Sequence, residues 1–98
     1  VSVRVIGHGS YILVKETGGK EALVYKINEV LEIYAGRYKA VRFQKAQIPF
    51  YKKRLDEFKK AQRNEVLEFS QGDTTIQFTK EEIPFLEECL KQLKGEAE

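Results

Sequence analysis

Tyr11, Tyr34 and Tyr38 stand close along the chain to Lys15, Arg37, Lys39 and Arg42, with Lys26 between the two groups. A tyrosine ring offers a flat apolar face, and a neighbouring lysine or arginine offers positive charge. Such rings stack on nucleobases at about 1–3 kcal/mol per base, and such cations neutralise phosphates with release of counterions. The chain offers less for bond-making chemistry. His8 lies in the run GHGS with no cysteine or second histidine nearby, which reads as a turn residue rather than a metal ligand. GHGS also lacks the spacing and the following helix of a phosphate-cradling loop. Cys89 is the single cysteine, and Glu87 and Glu88 beside it make poor surroundings for a thiolate nucleophile. One cysteine satisfies no structural zinc pattern. Glu29 and Glu32 recur as Glu65 and Glu68, which suits strand or turn roles better than acid–base work. No catalytic residue, metal site, cofactor or small-molecule substrate is expected, and no enzymatic activity.

The elements that must position these side chains are written twice. EVLEIYAGRYKAVRFQKAQIPFYKKRLDEFK begins at Glu29, and EVLEFSQGDTTIQFTKEEIPFLEECLKQLK begins at Glu65. With one extra residue in the first turn, Gly36 meets Gly72, Phe43 meets Phe78, Ile48-Pro49-Phe50 meets Ile83-Pro84-Phe85, and Leu55 meets Leu90. One supersecondary unit is therefore built twice, over 29–60 and 65–95, and the two copies are expected to share one core within a single domain, 1–98.

The unit reads as hairpin then helix. SQGD lies between two short β-rich runs, so by analogy Val30–Tyr34 pairs with Lys39–Phe43. The strand over Val30–Tyr34 is extended back across Ala22–Ile27. VSVRVI and YILVKE, joined by GHGS, form an earlier hairpin. Ile48, Tyr51, Leu55 and Phe58 make one apolar helical stripe, and Ile83, Leu86, Leu90 and Leu93 make a second. Thr79 and Glu82 have capping-box spacing, and Pro49 and Pro84 sit where a helix start tolerates them. The expected class is α+β: an antiparallel sheet with helices on one face, in the order β-β-β-β-α-β-β-α. Strand alternation then buries Leu31, Ile33, Val41 and Phe43. It leaves an open face carrying Tyr11, Tyr34 and Tyr38 among Lys15, Lys26 and Arg42. Phe50 and Phe85, just off the stripes, are expected under the sheet edge, the alternative being a dimer contact.

The 98 residues carry a net charge of +2, unevenly divided. Residues 1–63 hold fourteen Lys/Arg against six Asp/Glu, a charge of +8, and residues 64–98 hold three against nine, a charge of −6. The first helix concentrates Lys52, Lys53 and Arg54, whereas the second has Glu87 and Glu88 in place of the two lysines, so the fold itself does not require cations there. The composition suggests single-stranded DNA or RNA as the partner, bound with low sequence specificity. Tyr11, Tyr34 and Tyr38 would stack bases; Lys15, Lys26, Arg37, Lys39 and Arg42 would meet phosphates, assisted by Lys52, Lys53 and Arg54. A small sheet gives a short track, which makes a homo-oligomer plausible. The alternative is a protein-interaction or self-association module in which the basic half docks an acidic partner, such as the second repeat of another copy. No apolar run reaches membrane-spanning length and the N-terminus lacks a signal-peptide pattern, so a cytoplasmic location is expected.

The segment from Tyr11 to Phe58 resembles a PUR repeat. The shared features are a YxLxVKE-like strand with Tyr11, Leu13, Val14 and Lys15, a turn bearing Gly18, Lys26 in a Lys-rich strand, and a helix ending in Leu55 and Phe58. The resemblance implies four antiparallel strands followed by a helix, with single-stranded DNA or RNA bound, and points to Tyr11, Lys15 and Lys26. Whirly proteins and the archaeal ThermoDBP group are similar in combining sheets and helices for single-strand binding. After the first helix this chain offers two strands where a second complete PUR repeat has four.

Overall fold

The computed structural model describes residues 2–35, 39–61 and 66–95. Five strands form an antiparallel meander in the order β1-β2-β3-β4-β5: β1 (Val3–Gly7), β2 (Tyr11–Glu16), β3 (Glu21–Tyr25), β4 (Val30–Tyr34) and β5 (Ala40–Gln44). Helix α1 (Ile48–Lys60) follows, then the hairpin β6 (Leu67–Gln71) and β7 (Thr74–Phe78), then helix α2 (Ile83–Lys94). The α+β class and the alternation of sheet, helix, hairpin and helix are those the sequence predicts. The first sheet has one strand more than expected, because the segment read as continuous from Ala22 to Tyr34 reverses at Lys26–Glu29. Glu29 takes a φ of 54°, in the left-handed region that few non-glycine residues enter.

Both copies of the repeat build the same local structure. Each hairpin runs into a single 3₁₀ turn, Lys45–Gln47 or Lys80–Glu82, and then into a helix whose first turn holds the proline. The Glu82 carboxylate accepts the Thr79 backbone N–H at 3.0 Å, as the capping-box spacing requires. Both predicted stripes are buried: Ile48, Tyr51, Leu55 and Phe58 on α1, and Ile83, Leu86, Leu90 and Leu93 on α2. They close over Val14, Ala22, Val24, Leu31, Ile33, Val41 and Phe43 from the sheet, in one core shared with Leu67, Phe69, Ile76 and Phe78 of the hairpin. Full burial of one such side chain contributes about 1.5–3 kcal/mol.

The helices rest on different neighbours. α2 lies across β1 to β4, while the β6–β7 hairpin sits beside β5. α1 packs through Tyr51 against Phe43 and Phe69, with edge-on ring contacts at 4.8 and 6.0 Å. The Gln71 carboxamide ties the hairpin to the sheet. Its Oε1 accepts the Arg42 backbone N–H at 2.9 Å, and its Nε2 donates to the Arg42 carbonyl.

Candidate nucleic-acid interface

Helix α2 covers one face of the five-stranded sheet, α1 reaching the same side at β5 through Tyr51 and Phe43, and strand alternation assigns the other face to a defined set of side chains. The register aligns Ile6, Leu13, Leu23, Glu32 and Arg42 in one row across the strands, and Tyr11, Tyr25, Val30 and Gln44 in the next. Arg4, Lys15 and Glu21 form a third row, and Tyr34 stands opposite Ala40. Ile6, Tyr11, Leu13, Leu23, Tyr25, Val30 and Tyr34 are all half-buried, a level reached by contact with one another in the plane of the face. The rings form a chain. His8 stacks on Tyr11 with centroids 4.7 Å apart, and Tyr11 meets Tyr25 at 6.4 Å. The Tyr34 hydroxyl has its pKa pushed up to about 12, first by burial and then by the Tyr25 hydroxyl and the Glu32 carboxylate. It therefore stays neutral and able to donate a hydrogen bond at any physiological pH.

Cations edge this aromatic strip, two of them already partnered. Lys15 meets Glu21 at 3.3 Å, and Arg42 Nε meets the Glu32 carboxylate at 2.9 Å. The exposed Lys15–Glu21 pair contributes about 0–1 kcal/mol, little enough for a phosphate to compete; the Arg42 side chain stays 70% exposed, while its Glu32 partner is only 15% exposed. Arg4 makes no ion pair among the described residues. Lys26 reaches from the β3–β4 turn to the His8 carbonyl at 3.5 Å. A shallow depression lined by Tyr25, Asn28, Val30, Glu32 and Arg42 opens on this face.

The structure thus brings Tyr11, Lys15, Tyr34 and Arg42 onto one surface and puts Lys26 at its rim. Lys39 is exposed just before β5, out of phase with Ala40 and Arg42. Arg37 and Tyr38 lie outside the described residues. Lys52 and Lys53 are exposed on α1, in the helical layer rather than on the tyrosine face. Arg54 is already engaged: its guanidinium donates to the Glu68 carbonyl at 2.7 Å and lies over the Phe69 ring at 4.4 Å. It serves packing between α1 and the hairpin, away from the tyrosine face, and part of its donor set is already in use. Phe50 is 56% exposed where Phe85 is fully covered, so of the two only Phe85 packs inside, as the sheet-edge expectation had it. Lys59 pairs with Glu87 across the two helices, so part of the charge contrast is satisfied within one molecule.

Two contributors escaped the sequence, Tyr25 and Arg4. A continuous strand from Ala22 to Tyr34 would place Lys26 on the face with Tyr34 and turn Tyr25 inward. The four-residue turn resets the alternation, so Ala22 and Val24 are buried and Tyr25 faces outward. Arg4 was legible from the alternation of VSVRVI, since it shares a row with Lys15. The Cys89 thiol is sealed in the core, its pKa raised well above the ordinary value by burial and by the charges of Glu88 and Glu16, which leaves it unsuited to nucleophilic chemistry. Among the described residues no helix is long and apolar enough to cross a membrane, and no cluster of three or more His, Cys, Asp or Glu is arranged to hold a metal. No protein-family model matches this sequence, and neither a curated protein nor a solved structure is significantly similar to it.

Proposed function

We propose that the helix-free face of the five-stranded sheet binds single-stranded DNA or RNA with low sequence specificity. The observation that carries this reading is the gathering of Tyr11, Tyr25 and Tyr34, with His8 stacked behind Tyr11, on the side of the sheet that neither helix covers. Bases would lie against these rings and against the aliphatic row Ile6, Leu13 and Leu23, while Arg4, Lys15, Lys26 and Arg42 meet the phosphates. Ring stacking accepts any base, so weak sequence preference follows from the chemistry of the face. A duplex hides its bases and would gain only the electrostatic part.

The second repeat supports the reading by contrast. At the positions matching Tyr34 and Arg42 it has Ser70 and Gln77, yet the hairpin forms just as well. Neither ring nor guanidinium is therefore a requirement of the fold. A cytoplasmic location, with a lone unpaired cysteine, accords with such a role.

Fluorescence anisotropy with labelled single-stranded DNA, single-stranded RNA and duplex, at low and high salt, tests the proposal. The single strands should bind more tightly than the duplex, with affinity falling steeply as salt rises. Tyr25→Ala should weaken single-strand binding even at low salt, by about 1–3 kcal/mol. Equal affinity of the variant and the parent would remove the stacking role.

A further inference from the structure

The two rims of the five-stranded sheet are finished differently. In an antiparallel ladder, alternate residues direct N–H and C=O toward the paired strand, and the others direct theirs away. On β1, the Thr17 N–H bonds the Ser2 carbonyl at 3.0 Å and the His8 N–H bonds the Tyr11 carbonyl at 2.9 Å, so the even-numbered residues face β2. Val3, Val5 and Gly7 therefore direct their backbone groups outward. On β5, bonds from Ala35 N–H to the Lys39 carbonyl at 2.9 Å and from Lys45 N–H to the Glu29 carbonyl at 3.2 Å turn the odd-numbered residues toward β4. Ala40, Arg42 and Gln44 point outward there, and side chains serve the last two. Gln71 takes both backbone groups of Arg42, and the Gln44 N–H donates to the Tyr51 hydroxyl at 3.4 Å. Among the described residues, no side chain does this for Val3, Val5 or Gly7. β1 has no proline and no lysine, the usual protections of an edge strand, and Val5 is 41% exposed.

We infer that β1 pairs antiparallel with β1 of a second copy of this chain, joining the two five-stranded sheets into one. A two-fold axis through Val5 sets each Val5 opposite its equivalent, Val3 opposite Gly7, and Arg4 opposite Ile6. Every outward donor then meets an outward acceptor on an identical strand. No like charges are directly opposed, and the stem of Arg4 lies against an isoleucine. The two Val5 side chains, on the helix-covered side, close over each other. The open faces become continuous, the row Ile6–Leu13–Leu23 of one copy meeting the row Arg4–Lys15–Glu21 of the other across the seam. One sheet is only about 19 Å wide at about 4.8 Å per strand spacing. Where the face binds nucleic acid, as proposed above, the track doubles, and that part of the inference rests on the proposed function; the pairing itself does not.

Sedimentation velocity on the full chain without nucleic acid should give twice the monomer mass. Val5→Pro removes an N–H that no bond among the described residues uses, and Val5→Lys sets two cations against each other at the axis. Both variants should sediment as monomers with unchanged far-ultraviolet circular dichroism, and Val5→Lys decides the matter if the proline disturbs the strand. A parent protein that stays monomeric at its highest soluble concentration overturns the inference, as do folded variants that remain dimeric. Short and long thymidine oligonucleotides then separate the two proposals. The monomeric variants should keep their affinity for the short one and lose several-fold for the long one. An unchanged long-oligonucleotide affinity overturns the doubled track. A doubled mass with no oligonucleotide binding keeps the pairing and sinks the functional reading.

Discussion

The two copies of the β-β-α unit share a backbone plan and differ in what they lean on. α2 is pressed across the broad sheet, and three residues of its first turns and centre, Phe85, Leu86 and Cys89, are at most 1% exposed. α1 rests on a two-stranded hairpin, and its matching residues are Phe50, Tyr51 and Arg54. Phe50 is in the open, and Arg54 has room to reach over Phe69 to the Glu68 carbonyl. A thiol fits where a helix meets a sheet at close range, while a guanidinium fits where the layer beneath is narrow. The strands show the same divergence on a constant frame. Glu32 holds Arg42 across the first hairpin and Glu68 holds Gln77 across the second, both at 2.9 Å. Beside them Tyr34 is replaced by Ser70, which bonds Thr75 at 3.0 Å. The repeat fixes the backbone, and the layer underneath decides which side chains are structural and which are at liberty to bind.

Trading residues between the copies puts this contrast under strain. The largest effect belongs to the phenylalanines. Phe85→Ala should cost about 3–5 kcal/mol of stability by leaving a cavity in the core. Phe50→Ala should change it by no more than about 0.5 kcal/mol. Urea unfolding of the two variants checks this, and equal losses would mean that α1 is covered as thoroughly as α2.

Next comes the double replacement Tyr34→Ser with Arg42→Gln, which writes the second copy's surface onto the first. It should fold normally and lose single-strand affinity by roughly tenfold or more, one stacking ring and one phosphate contact having gone. Undiminished binding in anisotropy titrations would move the site off β4 and β5.

The smallest effect is acid-dependent. Burial opposes ionisation of Glu82, but the Lys20 ammonium at 2.7 Å and the Thr79 N–H outweigh it and hold the carboxyl below its ordinary pKa of 4.5. A depressed folded-state pKa contributes stability above the unfolded value, and that contribution is lost as pH falls through the folded one. The first copy has Gln47 at the matching position, which does not titrate. Glu82→Gln should therefore be less stable than the parent at neutral pH, and the two should converge as pH drops below 4.5. A gap independent of pH in acid-titrated melts would deny the ion pair its share.

The helices were legible because their signals are local. Apolar residues at spacings of three and four, a proline in the first turn and the Thr79–Glu82 box each act within a few residues. The open face was half legible for the same reason: alternation within YILVKE and VLEIY carries Tyr11, Lys15 and Tyr34 outward without reference to anything distant. The reversal between β3 and β4 gave no such signal. Its residues are Lys26, Ile27, Asn28 and Glu29, with neither glycine nor proline, and a glutamate takes the left-handed conformation. One unread turn inverted the inside–outside assignment of the strand before it and hid Tyr25. The roles of Arg54 and Gln71 depend on which elements meet in space, and no spacing along the chain announces that.

The carboxamide of Gln71 gives and accepts at a single residue, Arg42, so it imitates a strand one residue long. A sheet interrupted in this way at the middle of β5, with the β6–β7 hairpin beside it, offers no uninterrupted ladder on that side. If the opposite rim recruits a neighbour, growth halts as soon as one neighbour has joined, because both outer borders are then stoppered. A single glutamine would thus set the stoichiometry and separate a finite assembly from an endless fibre.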